Sequence, residues 1–367
     1  MCFGVANSFA QSLAQKRAET LQLGMNVSYL DHYWEGSKAK HFSDFAKPSE
    51  AAKREKVFAD IAKAGFKTVR LPICFSAWMG LARPYNWDNP KALEMADSFV
   101  QWALDNGLNV IIDLHHSEFD RSVANADAPE RIVNLWVRIA ERYKNTNPEK
   151  VFFELRNEPN RMDETAWRWE AAQIIKYVRE ITPQHTLIVG FTEWNGRRQL
   201  IAANPFTDKN IIYTFHYYDP FIFTHQGAEW TDLGKWGLKN VPFPYAKGNK
   251  IKVPSRVKGT WVENQINSYE TDSQATRIFA DLKAAKDWSE KNKVPIFVGE
   301  VGSYREFSAL EDRCRHAQTV YKALGDLDIP NAWWEWDGGF NMFKTGTQEI
   351  APCMRKALES FNTNKGK

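Results

Sequence analysis

The chain has 367 residues, 43% hydrophobic and 25% charged, with a formal net charge of +3 at pH 7. That mixture can bury a large core, and Lys and Arg interspersed among Asp and Glu leave no stripe for tracking phosphates, so no nucleic-acid partner is expected. No run approaches the roughly 18 consecutive apolar residues a membrane span needs, so no membrane partner is expected either.

The chain begins MCFGVANSFAQS. Ser8-Phe9-Ala10 satisfies the small-x-small rule for cleavage before Gln11, without a basic start or a long apolar stretch. Residues 1–20 therefore read as an N-terminal segment carrying a signal-peptide remnant, which favours a secreted or periplasmic location. Beyond it, apolar strands begin near Leu21, Phe66, Leu108, Lys150, Thr186, Asn210, Val294 and Asn331. Helical periodicity fills the intervals at 91–106, 129–143, 164–181, 273–291 and 310–324. Eight alternations predict one closed (β/α)8 TIM barrel over 21–367. No glycine-rich phosphate loop follows the first strand, which argues against an open dinucleotide-binding sheet. Residues 221–267 form the longest irregular stretch, expected to be a loop over the active face.

Barrel strands alternate between the interior and the surrounding helices. In NVIIDLHH the apolar phase is Val110, Ile112 and Leu114, so Asp113 and His115 face inward. The same test turns Arg70 of TVRLPI inward, together with His216 and Tyr218 of YTFHYYDP. In VFFELRNEPN it turns Glu154, Arg156 and Glu158 inward, and Pro159 ends the pairing. Glu300 closes PIFVGE. These polar residues gather at the C-terminal ends of several strands, where such barrels build their sites. Two of the carboxylates among them, Glu158 and Glu300, follow strands four and seven, and a facing pair is what glycoside hydrolysis requires: one protonated to donate to the leaving oxygen, one ionised to attack or stabilise the anomeric carbon.

Aromatic content is 14%, with 15 Trp. Most fill the core, but Trp34, Trp87, Trp194, Trp230 and Trp236 sit in polar contexts, where an indole suits the axial C–H face of a sugar. Four cysteines give neither a CxxC pair nor a metal spacing. Cys314 and Cys353 could meet late in the chain, and the sequence leaves their pairing open. His115 and His116 are adjacent and point apart, so no metal site and no cofactor is expected. Asp113 is read as a structural partner of Arg70 or Arg156, and Glu335 as helix-side or rim.

FELRNEP and PIFVGEVG resemble the acid/base and nucleophile strands of glycoside hydrolase family 5. GMN, TVRLPI, IIDLHH, FHYYDP and AWWEW resemble its strands one, two, three, six and eight, in the family's order. The resemblance implies a retaining endo-β-1,4-glucanase acting as a monomer on a β-linked, cellulose-like polysaccharide. Mannanase and other β-glycanase specificities of the same family (xyloglucan, mixed-linkage glucan) are the alternative, and a non-catalytic sugar-binding barrel is the reading of another class. It implies Glu158 as acid/base and Glu300 as nucleophile, with Asn157 on the sugar 2-hydroxyl. Arg70 and Tyr218 would orient Glu300, and His115 and His216 would bond the sugar or the acid/base. Trp334 would stack under the sugar, with Trp336 as its fallback. Trp194, His116 and Trp230 are further candidate substrate contacts.

Overall fold

The computed structural model describes residues 11–31, 48–115, 128–248 and 251–362. His116 and Trp34 lie outside the described residues. Eight parallel strands close in sequential order: β1 (Leu23–Asn26), β2 (Thr68–Ile73), β3 (Asn109–Leu114), β4 (Val151–Glu154), β5 (Thr186–Val189), β6 (Ile211–Tyr217), β7 (Ile296–Val301) and β8 (Asn331–Trp333). Leu23 pairs with Asn331 and Met25 with Trp333 to close the cylinder. The expected (β/α)8 TIM barrel is thus the observed fold.

Two apolar clusters reflect the alternation. Val69, Leu71, Val110, Ile112, Leu114, Phe153, Tyr213, Phe215 and Val298 join the large cluster between strands and helices. Ile111, Phe152, Ile188, Ile212, Phe297 and Ala332 form a separate cluster inside the barrel. The inner one is completed by Ala14, Ala18 and Leu21 from a helix that the sequence reading placed outside the barrel.

That helix, α1 (Leu13–Leu21), starts with a capping box in which Ser12 accepts from the Gln15 amide and the Gln15 side chain accepts from the Ser12 amide. Arg17 donates to Gln184 O and to Thr186 Oγ1 at 2.9 Å, and Asn109 Nδ2 reaches Thr20 O at 2.8 Å. These partners lie at strand N-termini, so α1 plugs the floor of the barrel, opposite the end where the polar residues gather. The division at residue 20 is corrected accordingly: the packed structure already includes α1, because Ala14, Ala18 and Leu21 share one helical face.

The outer helices are α2 (Pro48–Lys63), α3 (Pro90–Asp105), α4 (Ala128–Tyr143), α5 (Glu164–Ile181), α6 (Arg197–Ala202), α7 (Trp261–Asp272), α8 (Ala275–Asn292), α9 (Leu310–Asp326) and α10 (Pro352–Asn362). α9 and α10 are joined by a disulfide between Cys314 and Cys353. Residues 221–267 are less irregular than expected. They include the start of α7 and short helical turns at Phe221–Thr224 and Asp232–Trp236.

Candidate active site

Arg70 rises from the middle of β2 and is fully buried. Its Nε donates to Glu154 Oε2 at 2.7 Å and its Nη2 to Glu154 Oε1 at 2.9 Å. Nη2 also lies 2.7 Å from Asn157 Oδ1 and 3.0 Å from Asp113 Oδ2. Nη1 reaches Asn26 Oδ1 at 3.0 Å and Glu300 Oε1 at 2.9 Å. One planar fork therefore ties β1, β3, β4 and β7 together, a geometry lysine cannot supply. Burial works against the guanidinium charge, but Asp113, Glu154 and Glu300 more than offset it and hold the proton more firmly than usual. The expected structural role of Asp113 is the one seen.

Glu300 sits at the end of β7 and is buried. Between Phe215 and His216 the pairing with β7 slips, so His216 lies opposite Glu300 and Gly299 is bulged. A side chain at 299 would crowd Thr214 Oγ1, 2.9 Å from an added Cβ. Glu300 Oε2 accepts from Tyr218 Oη at 2.8 Å and lies 3.4 Å from His216 Nδ1. Burial raises its pKa above the ordinary value, against the pull of His216, Arg70 and the Tyr218 hydrogen bond.

Glu158, just past β4, has a side chain 24% exposed, and its Oε1 lies 2.9 Å from His216 Nδ1. The His216 pKa falls to about 4, mainly because the ring is buried, with the Arg70 charge adding to the effect. The imidazole is therefore neutral at neutral pH, and the geometry puts its proton on Nδ1, facing Glu158. One ligand-type atom each from Glu158, His216 and Glu300 lie within 4.8 Å of one another. The two carboxylates thus converge across the barrel mouth.

His115 is buried, bonds Asp113 Oδ2 through Nδ1 at 2.7 Å, and stacks on Trp334 with ring centres 5.3 Å apart and planes 11° apart. Trp334 is half-buried beside the polar ring. Trp336 is buried in the core edge-on to Phe343, which removes it as the alternative platform. Trp194 is 55% exposed on a left-handed turn after β5, where Glu193, Trp194 and Asn195 have φ of 54°, 56° and 58°. Buried Asn195 lies so close to Gly190 that any side chain at 190 would collide with it. Trp230 is 59% exposed, edge-on to Tyr304 at 5.0 Å and 6.4 Å from His225. His225 in turn meets Tyr218 at 4.7 Å, which links Trp230 by ring contacts to the residue that bonds Glu300. Trp87 and Trp236 are half-buried against the core.

Two expectations fail. Arg156 does not face inward: it pairs with Glu170 of α5 at 2.6 Å and lies over Trp167. β4 ends at Glu154, so the alternation no longer governs residue 156. Glu335 is neither helix-side nor on the rim. It is buried, bonded to Ser28 Oγ, and pushed up to about 7 chiefly by burial, with the Glu300 charge adding to the effect. The sequence reading also missed Asn26 as part of the site. Its amide bonds Gly299 O at 3.1 Å and Trp333 O at 3.2 Å while its oxygen takes Arg70. An Asn closing the apolar run LGM was the available signal.

The family model for Cellulase (glycosyl hydrolase family 5) matches residues 27–339. The chain belongs to this family. As a family 5 chain it is a glycoside hydrolase, as the motif order implied. Endoglucanase 3 of Fibrobacter succinogenes is 30% identical over 318 residues, covering 81% of this chain and 48% of that protein, so the chain spans about half that relative's length. Endoglucanase C of Acetivibrio thermocellus is 29% identical over 329 residues, 86% of this chain and 91% of that protein. Among solved structures, Thermotoga maritima Cel5A in complex with mannotriose aligns with a TM-score of 0.77 at 28% identity, covering 94% of this chain and 99% of that one. Its cellobiose complex aligns at 0.76 with the same identity and coverage. The family match runs from beyond β1 to beyond β8 and so contains nearly every residue of the polar ring.

Proposed function

We propose that this chain is an endo-β-1,4-glucanase that hydrolyses internal bonds of a cellulose-like glucan by double displacement. The observation that carries the mechanism is the convergence of Glu158, His216 and Glu300 within 4.8 Å. Retaining glycosidases hold their carboxyl groups about 5–5.5 Å apart, whereas inverting ones leave roughly 6.5–9.5 Å for a water. Glu158 protonates the glycosidic oxygen as Glu300 attacks the anomeric carbon, giving a glycosyl-enzyme and a free leaving chain. Glu158 then takes a proton from water, which attacks the same carbon and releases Glu300. Arg70 and Tyr218 each donate to one oxygen of Glu300, stabilising its charge before attack and after release. Arg70 holds Asn157 Oδ1, leaving the amide NH2 for the sugar 2-hydroxyl. Trp334 offers its face to the sugar at the cleavage point, with His115 stacked on it. Trp194 and Trp230 carry the neighbouring sugars.

The endoglucanase names of the relatives favour glucan. Mannan is the second reading, favoured by the mannotriose complex of the structural neighbour. The chain works as a monomeric single barrel. A polymeric substrate and the Cys314–Cys353 bond both suit a secreted or periplasmic location. Following the first-formed anomer by NMR on a soluble cello-oligosaccharide tests the mechanism: β product is expected, and α product overturns it. Side-by-side rates on soluble cellulose and mannan test the substrate, and a clear preference for mannan overturns the glucan assignment.

A further inference from the structure

We propose that Glu158, His216 and Glu300 also form a binding site for a zinc-like divalent cation, which occupies the cleavage point and competes with the polysaccharide. The three side chains come from three strand ends and present one imidazole nitrogen and two carboxylate oxygens to a common point. Mixed nitrogen and oxygen donors select Zn²⁺ or Cu²⁺ over Mg²⁺ and Ca²⁺, which prefer oxygen alone.

The spacing fits. Zn²⁺ bonds of about 2.0–2.2 Å in tetrahedral geometry place ligand atoms roughly 3.4 Å apart. His216 Nδ1 lies 2.9 Å from Glu158 Oε1 and 3.4 Å from Glu300 Oε2. The remaining edge, between the carboxylates, is within 4.8 Å and needs a closure of little more than 1 Å. The more exposed Glu158 can supply that movement. His216 is more than nine-tenths buried and its Nε2 has no hydrogen-bond partner. Moving its proton to Nε2 displaces no bond there and frees the Nδ1 lone pair, so the metal takes the place of the Nδ1–H bond to Glu158. The fourth position faces the open side of Glu158, where water completes the tetrahedron.

Neighbouring acids do not offer the same set. Among the described residues no other three His, Cys, Asp or Glu side chains bring ligand atoms this close together. The ion would sit where the glycosidic bond must sit, so its effect is inhibition.

The assay pairs calorimetric titration of the purified protein with ZnCl2 against initial rates on a soluble cellulose derivative, with MgCl2 as control. One Zn²⁺ per chain is expected, bound in competition with a cello-oligosaccharide, and Mg²⁺ should have no effect. Glu158→Gln keeps the shape of the site and should weaken Zn²⁺ at least about tenfold, because even outer partners of a metal site are worth 10–100-fold. His216→Ala should abolish binding at that stoichiometry. Should His216→Ala fail to fold, the Glu158→Gln titration still decides. Zn²⁺ binding that is indifferent to the oligosaccharide or to Glu158→Gln, or no binding at all, overturns the proposal. The proposal rests on the hydrolase reading only for its inhibitory consequence. Failure of turnover on every β-glycan would sink that reading while leaving the calorimetry to judge the metal site.

Discussion

Replacing Arg70 by lysine keeps the charge and removes the fork. The guanidinium serves Glu154 twice, and Asn157, Asp113, Asn26 and Glu300 once each, all in the buried interior. An ammonium has three donors from a single atom, so at least three of these six contacts are lost. Each buried acceptor left unmade costs about 1–3 kcal/mol, giving a destabilisation of roughly 3 kcal/mol or more. A barrel of this size should then melt several degrees lower, since about 1 kcal/mol moves a 150–250-residue domain by 2–4 °C. Activity should suffer more. Glu300 and Asn157 both take their position from Arg70, and a misplacement of about 1 Å in such groups costs on the order of 100-fold. Arg70→Met should do worse than Arg70→Lys, because it leaves three carboxylates without their shared cation, and removing one member of a buried pair costs about 3–5 kcal/mol. The assays are thermal unfolding by circular dichroism and kcat/KM on an aryl β-cellobioside. An Arg70→Lys enzyme within about threefold of wild type, less than 1 kcal/mol in the barrier, with an unchanged melting temperature would refute the hub.

The adjacent indoles should separate cleanly. Trp336→Ala opens a core cavity and should cost about 3–5 kcal/mol in urea unfolding, while Trp334→Ala should leave stability nearly intact and lower kcat/KM by roughly 10–100-fold, about 1.4–2.8 kcal/mol; the reverse pattern would exchange their roles. Leu21→Ala removes the completely buried last residue of the floor helix and should cost about 2–5 kcal/mol in urea unfolding without changing kcat/KM, because the site lies at the opposite end. The completely buried His316 has its pKa lowered to about 4, first by burial and then by Arg313. Below about 6.5 the unfolded chain takes a proton there that the folded chain refuses until near pH 4, so stability is lost as pH falls through that window. Between pH 6.5 and 5 the loss is at most about 2 kcal/mol; urea midpoints of wild type should fall more steeply than those of His316→Gln, and parallel profiles would exclude the effect.

The strand order and the inward ring were legible because a period of two is imposed wherever a strand is paired on both sides. Asp113, Arg70, Glu154 and His216 all lie inside such strands and fell on the predicted face. The reading failed where the ladder ends. Arg156 lies beyond β4 and follows α5, and Glu335 lies beyond the three-residue β8. Asn26 could be seen but not interpreted, because its importance comes from β7 and β8, far away in sequence. Helix α1 carries its apolar face at 14, 18 and 21, a clear period, but a short helix with one narrow stripe does not reveal that a barrel floor awaits it.

The same geometry fits the different work that the proposed mechanism asks of two carboxylates so close together. Glu300 has a donor on each oxygen, from Arg70 and Tyr218, and is buried. Only an ionised carboxylate accepts at both oxygens without conflict, so these contacts specify the charged form despite the cost of burial. Glu158 has His216 on one oxygen and is partly exposed. A carboxyl in that setting can carry a proton on its other oxygen and keep the His216 bond unchanged, and it can lose that proton toward the cleft. In the proposed mechanism the asymmetry between acid/base and nucleophile is therefore set by which strand end meets Arg70. Exchanging the environments, rather than the carboxylates, is what would exchange the roles.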